Sequence, residues 1–204
     1  MSKKFSKDYD YYSQPYIYEE ISDKIKSIIQ ENGYDDEVAD LILNLYDYMF
    51  EKVLMGACHA ISSVLYVALS EMGYNPVLCI GECQKQGDKP FDHSWLLIDN
   101  KIIDLAIFMP LTDKIGSYGG VVIFGIDIFT LKPTELHYGI NSGLPFSDQT
   151  IFAMKQSFGE YMQNFPFEND GLWSVLERIY IYEDELDIKK CKKKYKNIER
   201  KLVR

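Results

Sequence analysis

The sequence is poor in cysteine and contains no long apolar run. It holds four cysteines in 204 residues, a number that does not indicate a disulfide framework in a chain of this length. No apolar stretch approaches the ~20 residues that a membrane-spanning helix needs, and residues 1–8 lack the apolar segment of a secretory signal. We therefore expect a cytoplasmic protein with reduced thiols and no membrane partner.

The sequence also lacks an overall excess of basic residues, since its formal net charge is −9. Residues 188–204 are the exception, with nine Lys or Arg and one Glu, which leaves −17 for the remainder. An acidic body argues against nucleic acid as a partner, because binding to nucleic acid depends on neutralising phosphates. In the basic segment, apolar residues recur at helical spacing and predict an amphipathic helix: Ile188, Cys191, Tyr195, Ile198 and Leu202. An anionic partner for its lysines is the alternative interpretation.

The rest of the composition is ordinary for a globular protein, with 47% apolar and 26% charged residues. Apolar residues recur at helical spacing over residues 15–31, 36–49, 56–73 and 148–163, and again from 171 and about 184. Short β-rich runs lie at residues 76–82, 91–98, 101–106 and 120–129. We expect residues 1–13 to be frayed, and residues 84–90 and 130–147 to be loops. The order of helices, sheet and helices predicts a single α+β domain over residues 1–204.

The most apolar of the predicted helices begins at a cysteine. Its apolar residues cover more than half of the helix circumference, which places it inside the domain: Ile61, Val64, Leu65, Ala68, Leu69 and Met72. Gly56 precedes the helix, and Gly73 is expected to end it. Cys58 then lies in the first turn, where unpaired N–H groups and the helix dipole favour a thiolate. Cys58 is therefore a candidate nucleophile, and an inert buried cysteine is the alternative.

Two later side chains are the candidate partners of Cys58. Residues 93–98 and 101–106 are predicted to pair through a two-residue turn, so that residue i faces residue 199 − i. Because side chains alternate between the faces of a strand, His93 and Asp104 then project from the same face as diagonal neighbours. A three-residue turn would place them on opposite faces. If the Cys58 helix packs its N-terminus on that face, the thiol, the imidazole and the carboxylate stand in line.

Together these residues resemble the core of the transglutaminase-like superfamily of cysteine hydrolases and acyltransferases. The resembling motifs cover roughly residues 54–107: Gly56-x-Cys58, the run from Leu69 to Val77, Gly81, His93-Ser94-Trp95 and Ile103-Asp104. The resemblance implies a papain-like fold, in which a buried helix carrying Cys58 packs on a small antiparallel sheet. It implies a core at about residues 54–130, with helical extensions over 14–54 and 148–204. The compact size and short hairpin also look similar to the leader peptidases of lasso-peptide pathways.

The resemblance further implies roles for three residues. It places the nucleophile at Cys58, the base at His93 and the orienting acid at Asp104, as a Cys-His-Asp triad. The implied reaction cleaves an amide or peptide bond through a thioester, with a peptide or protein as substrate. One departure is Ser94, which stands where the family usually has Ala. No cluster resembles the Ca²⁺ sites of the large animal transglutaminases, so we expect neither a metal nor a cofactor.

Other interpretations stay open at this stage. The thioester could pass to an amine rather than to water, which would make the protein an acyltransferase, or an inactive core could serve as a binding module. Cys79 and Cys83 share a strand face and could bind zinc with Cys58 or His93. His59 points about 100° away from Cys58 around the helix, so we expect it to be a packing or surface residue. The oligomeric state is open.

Overall fold

The computed structural model describes residues 15–111, 115–166, 168–181 and 186–204. Within these ranges the chain is a mixed α+β structure with seven α-helices, a five-stranded sheet and a separate three-stranded sheet. The expected fraying of residues 1–13 lies outside the described residues. No helix of the described ranges has both the length and the apolar character that crossing a membrane requires.

The helices lie mostly where the apolar spacing predicts them. In chain order they are α1 (Pro15–Glu31), α2 (Asp36–Glu51), α3 (Cys58–Glu71), α4 (Asp148–Lys155), α5 (Phe158–Gln163), α6 (Leu172–Ile179) and α7 (Ile188–Lys194). Helix α3 begins at Cys58 and is buried over most of its length. It packs against α2, α6 and the main sheet. The most apolar helix therefore lies at the centre of the molecule, as predicted.

The strands follow α3 along the chain. They are β1 (Val77–Lys85), β2 (Phe91–Ile98), β3 (Lys101–Ile103), β4 (Val122–Ile123), β5 (Ile126–Asp127), β6 (Lys132–Pro133), β7 (Leu136–Ile140) and β8 (Lys201–Val203). The main sheet has the order β3-β2-β1-β7, with β8 also pairing with β1, whereas β4, β5 and β6 form the small sheet. Strands β1 and β8 are parallel, and the other pairs are antiparallel.

The hairpin between β2 and β3 has the predicted turn and register. Asp99 and Asn100 both have positive φ, at 50° and 61°, the conformation that a tight two-residue hairpin turn needs. Leu96 pairs with Ile103, and Ile98 pairs with Lys101, so the relation between residues i and 199 − i is confirmed. This register decides the face from which every later side chain of the hairpin projects.

Strand β3 is shorter than predicted and ends before Asp104. The backbone N–H and C=O of Asp104 pair with those of Val122, both at 2.8 Å, and a 3₁₀ helix follows at Ala106–Phe108. The run at 120–129 folds into β4 and β5, and the turn between them contains Gly125 at φ +83°. The single predicted run is thus divided by a turn at Gly125, for which glycine is suited because it has no Cβ.

The predicted loop at residues 130–147 contains two strands, β6 and β7. Strand β7 pairs with the second half of β1, from Glu82 to Lys85. The prediction was wrong because two prolines and two glycines in this stretch were taken to exclude a strand, whereas β7 pairs with β1 on both sides of Gly139, where the register shifts by one residue. Leu136, Tyr138 and Ile140 alternate with other residues along β7, which is the period of a strand.

The C-terminal segment is only partly helical, contrary to the prediction of one amphipathic helix up to Leu202. Helix α7 ends at Lys194, and residues 201–203 form β8 beside Cys79–Gly81 of β1. Backbone groups on this edge of β1 need hydrogen-bond partners, and a strand supplies them where a helix cannot. A Cβ at Gly81 would lie 2.2 Å from the Val203 carbonyl oxygen, so the close approach of β8 requires glycine there.

One cluster of buried apolar side chains holds the helices and the sheet together. It extends from Ile21 in α1 to Tyr195 after α7, and it includes α3 and the inner faces of β2 and β3. The cluster also contains Cys58, at the end of α3 nearest the sheet edge. The N-terminal and C-terminal helices thus share one core with the central segment.

Candidate functional site

His93 and Asp104 lie in direct contact at the edge of the main sheet. His93 projects from β2, Asp104 follows β3, and both side chains are buried. The His93 Nε2 and Asp104 Oδ2 atoms are 2.7 Å apart. This distance is that of a charge-assisted hydrogen bond. The same-face placement that the hairpin register predicts is thus present, although Asp104 bridges to Val122 rather than continuing β3.

The Asp104 carboxylate accepts two further hydrogen bonds. The hydroxyl of Tyr138 donates to Oδ2 at 2.8 Å, and the backbone N–H of Ile107 donates to Oδ1 at 3.1 Å. With three donors around it, the buried carboxylate is held in one orientation. Sequence reasoning missed Tyr138 because it placed residues 130–147 in a loop. The alternating pattern of β7 is the signal that could have found it.

Cys58 lies in the first turn of α3 with 8% of its surface exposed. Burial opposes ionisation of the thiol, but the His59 and His93 imidazoles, through charge and side-chain hydrogen bonds, hold the pKa of Cys58 well below its usual value. Burial would lower the pKa of His93, yet the charges of Asp104 and Cys58 outweigh it and raise that pKa to about 10. The arrangement therefore favours a thiolate paired with an imidazolium over a neutral thiol and imidazole.

The other three cysteines have the opposite electrostatic environment. Burial raises the pKa of Cys79 and of Cys191 to about 11. Burial, together with the charges of Asp104 and Cys58, raises the pKa of Cys83 well above its usual value. Cys79 and Cys83 pack around Trp95 in an apolar cluster. Across the described ranges, no group of three or more His, Cys, Asp or Glu is arranged to hold a metal ion.

His59 is buried in a polar network that joins three elements. Its Nδ1 atom lies 2.6 Å from Ser94 Oγ on β2, and its Nε2 atom lies 3.2 Å from Thr150 Oγ1 on α4. Sequence reasoning placed His59 away from the thiol as a packing or surface residue. It is a packing residue, but its hydrogen bonds and its effect on Cys58 were missed, since Ser94 and Thr150 are far from it in sequence.

Two adjoining cavities open around the N-terminus of α3. The first, which we call the thiol cavity, has a volume of about 430 Å³, and its lining includes Cys58, His93, Phe91, Ile107 and Tyr118. The second, which we call the larger cavity, has a volume of about 780 Å³, and its lining includes Val53, Met55, Phe152, Tyr161 and Phe165. Gly56, His59 and Gln149 line both cavities. The thiol therefore lies on a cavity wall rather than sealed within hydrocarbon.

Two acidic side chains anchor the segment that closes one side of the thiol cavity. Glu82 of β1 accepts hydrogen bonds from the backbone N–H and the hydroxyl of Ser142. Asp92 of β2 accepts a hydrogen bond from the backbone N–H of Ser147 at 2.6 Å. Pro145 and Ser147 of this segment line the cavity. The connection from β7 to α4 is thus fixed to the sheet at two points.

Replacing Tyr138 by phenylalanine is expected to lower stability by about 1.5–3 kcal/mol, the usual contribution of a hydrogen bond to a charged group. The ring keeps its packing against Trp95, so the loss reports the bond from the hydroxyl to Asp104. Urea unfolding monitored by circular dichroism measures the change. Tyr118→Phe is a suitable control, because Tyr118 stacks on Phe91 in the same region without contacting Asp104. Equal losses for the two variants would contradict the prediction.

The arrangement combines a thiol with a lowered pKa, an imidazole that can carry a proton, and a carboxylate that orients the imidazole. Such a set is suited to nucleophilic attack on a carbonyl carbon and to protonation of the leaving group. The backbone N–H of Cys58 belongs to the first turn of α3 and so has no acceptor within the helix.

Comparisons of the chain with protein-family models, with curated proteins and with solved structures found no significant match.

Proposed function

We propose that this protein is a cysteine hydrolase that cleaves an amide or peptide bond through a thioester intermediate. The observation that carries the proposal is the placement of three side chains around one cavity wall. The 2.7 Å hydrogen bond joins His93 to Asp104, and the Cys58 thiol lies beside His93 on the wall of a cavity. In this assignment Cys58 is the nucleophile, His93 exchanges protons, and Asp104 orients the imidazole and stabilises its charged form.

The first half of the proposed reaction forms the acyl-enzyme. The Cys58 thiolate bonds to the carbonyl carbon of the substrate, and the N–H groups of the α3 terminus face the negative charge that develops on the carbonyl oxygen. The carbon–nitrogen bond then breaks, and the nitrogen takes the proton from the His93 imidazolium. An amine leaves, and a thioester remains on Cys58 beside neutral His93.

The second half of the reaction releases the acyl group. His93 takes a proton from water, the water oxygen bonds to the carbonyl carbon, and the carbon–sulfur bond breaks. A carboxylic acid leaves, and the thiolate–imidazolium pair is restored. The same thioester serves acyl transfer when an amine takes the place of water, so the acceptor decides between hydrolase and acyltransferase. The shared cavity wall of Cys58 and His93, with the pKa of Cys58 held well below its usual value by His59 and His93, favours either enzyme over an inactive binding module.

We propose further that the central segment is a papain-like core of the transglutaminase-like type. The support is the order of parts along the chain: a buried helix begins at Cys58, an antiparallel hairpin presents His93, and Asp104 follows its returning strand. Helices from both ends pack on this segment. The C-terminal part contributes strand β8 as well as helices to the arrangement.

Mass spectrometry of the reaction with a peptide mixture tests the proposed function. We expect a covalent acyl adduct on Cys58 in acid-quenched samples, which hydroxylamine removes as expected for a thioester. Products that carry one added water show a hydrolase, and products that carry an added amine, such as glycine ethyl ester, show an acyltransferase. A substrate cleaved equally well by the Cys58→Ala variant would contradict both.

The pH dependence of the proposed reaction is expected to have two separate limbs. Alkylation of Cys58 by iodoacetamide needs only the thiolate, so its rate rises with pH through the lowered pKa of Cys58 and levels off well below the pH at which an ordinary thiol ionises. Turnover also needs the His93 imidazolium, so it falls as pH rises through about 10. Stopped-flow alkylation and steady-state kinetics measure the two limbs. An alkylation rate still climbing toward pH 9, like that of an ordinary thiol, would refute the ion pair.

A further inference from the structure

We infer that the two cavities divide a peptide substrate at the bond that is cleaved. The larger cavity takes the acyl side through a bulky apolar side chain, and the thiol cavity takes the side that leaves as an amine. This inference rests on the proposed function and adds to it the direction of the substrate and the chemistry of its acyl side.

The position of His93 sets the direction. The leaving nitrogen must lie within hydrogen-bond reach of the imidazole that gives it a proton. His93 lines the thiol cavity and is not among the residues that line the larger one. The amine side of the substrate therefore occupies the thiol cavity. The acyl side lies across the wall that both cavities share, over Gly56 and His59.

The lining of the larger cavity sets the chemistry of the acyl side. Aliphatic and aromatic side chains form most of its wall, and two of them are exposed in the free protein, Phe152 at 55% and Val53 at 43%. Lys52 and Asp148 on this wall carry opposite charges and are exposed, and the other two ionisable side chains of the lining are His59 and Tyr161. A volume of about 780 Å³ holds a large apolar side chain with room for neighbouring backbone, and burying a carboxylate against a mostly apolar wall costs more than burying such a side chain.

One further observation connects this cavity with the thiol. Val53 has φ +53° because it is the left-handed residue that ends α2, with Val53 N–H bonded to the Phe50 carbonyl and Leu54 N–H to that of Met49. Tyr161 on the cavity wall has its pKa raised by burial and by the charge of Cys58, so the thiolate and this wall are close enough to interact. This proximity to the sulfur is an observation independent of the apolar lining.

Inactivation by acyl-side chloromethyl ketones tests the inference. The thiolate displaces chloride from such a reagent, so a carbon–sulfur bond forms, the carbon–chlorine bond breaks and chloride leaves. We expect the benzyloxycarbonyl-phenylalanine reagent to react about 10- to 100-fold faster than the aspartate reagent, the range expected for burying one large apolar side chain. Iodoacetamide, which has no acyl-side chain, measures the reactivity of the thiol alone.

Substitutions on the wall of the larger cavity provide matched comparisons. Phe152→Asp is expected to lower the phenylalanine-to-aspartate rate ratio about tenfold. Met154→Asp, an exposed residue on the same helix that lines a different cavity, should leave the ratio unchanged. Val53→Asn should raise the urea midpoint of unfolding, because Asn tolerates positive φ. It should also lower the phenylalanine-to-aspartate rate ratio, because it makes the cavity wall more polar. Leu131→Asn, another exposed apolar residue at positive φ, should raise the midpoint alone.

The outcomes separate this inference from the proposed function. Equal rates for the phenylalanine and aspartate reagents, with Cys58 still alkylated by iodoacetamide, would overturn the acyl-side assignment and leave the hydrolase intact. A ratio that is unchanged by both Phe152→Asp and Val53→Asn would also overturn it. Failure of iodoacetamide to alkylate Cys58 at neutral pH would remove the proposed function, and this inference with it.

Discussion

Replacing Cys58 by alanine is expected to abolish turnover and to remove the only rapid site of alkylation in the described chain. At pH 7 a thiol with a pKa of about 11, such as Cys79 or Cys191, is ionised to roughly one part in 10⁴. The two neighbouring imidazoles hold the pKa of Cys58 well below its usual value against the opposing effect of burial. Limiting iodoacetamide should therefore add one carbamidomethyl group to the parent protein, and intact-mass spectrometry should find none on the variant.

The control for this prediction is Cys191→Ala, which removes another buried cysteine far from the proposed site. This variant should still take up one carbamidomethyl group rapidly, on Cys58, and its turnover should be unchanged. Peptide mapping of the labelled parent locates the modified residue. Labelling spread over Cys79, Cys83 and Cys191 at rates similar to that of Cys58 would show that the four thiols do not differ as their surroundings indicate.

Replacing Asp104 by asparagine is expected to lower kcat about 10⁴-fold, the loss known when asparagine replaces the orienting acid of a triad. The amide keeps the size of the side chain but removes the charge that raises the pKa of His93. Without that charge the imidazolium is less stable, so the pKa of Cys58 should rise and alkylation at pH 6 should slow. Steady-state kinetics and the pH profile of iodoacetamide alkylation measure the two effects.

Asp127→Asn is the matched control for this substitution. Asp127 is also buried, and its carboxylate accepts hydrogen bonds from three backbone N–H groups, those of Gly120, Phe129 and Thr130. Its loss should cost about 1–3 kcal/mol of stability without changing the pH at which the thiol ionises. If Asp127→Asn shifts the alkylation profile as much as Asp104→Asn does, the shift comes from general destabilisation and not from the imidazole.

Local signals were sufficient to predict the elements that carry the proposed site. The apolar spacing of residues 58–72 predicts α3, and the Asp99–Asn100 turn predicts the register that brings His93 and Asp104 to one face. Both depend on neighbours in sequence, through helical periodicity and through the backbone conformation of a two-residue turn. The sequence therefore predicted correctly that His93 and Asp104 share a face, whereas it did not predict that β3 ends before Asp104.

Contacts between distant parts of the chain could not be predicted in this way. The hydroxyl of Tyr138 reaches Asp104 only because β7 pairs with β1, and His59 is buried only because Ser94 and Thr150 provide partners. The apolar spacing in the basic segment fits a helix, yet residues 201–203 form a strand because they pair with the edge of β1. In each case a tertiary hydrogen bond overrides a local preference.

The position of β8 has a consequence for biosynthesis. Cys79–Gly81 of β1 pair with residues made after every other strand of the sheet, and parallel pairing over such a separation forms slowly. The side chain of Val203 also packs against Gly139, the neighbour of Tyr138. We therefore expect a nascent chain to lack a finished thiol centre until residues 201–203 have left the ribosome, and alkylation of Cys58 on stalled chains of increasing length measures this.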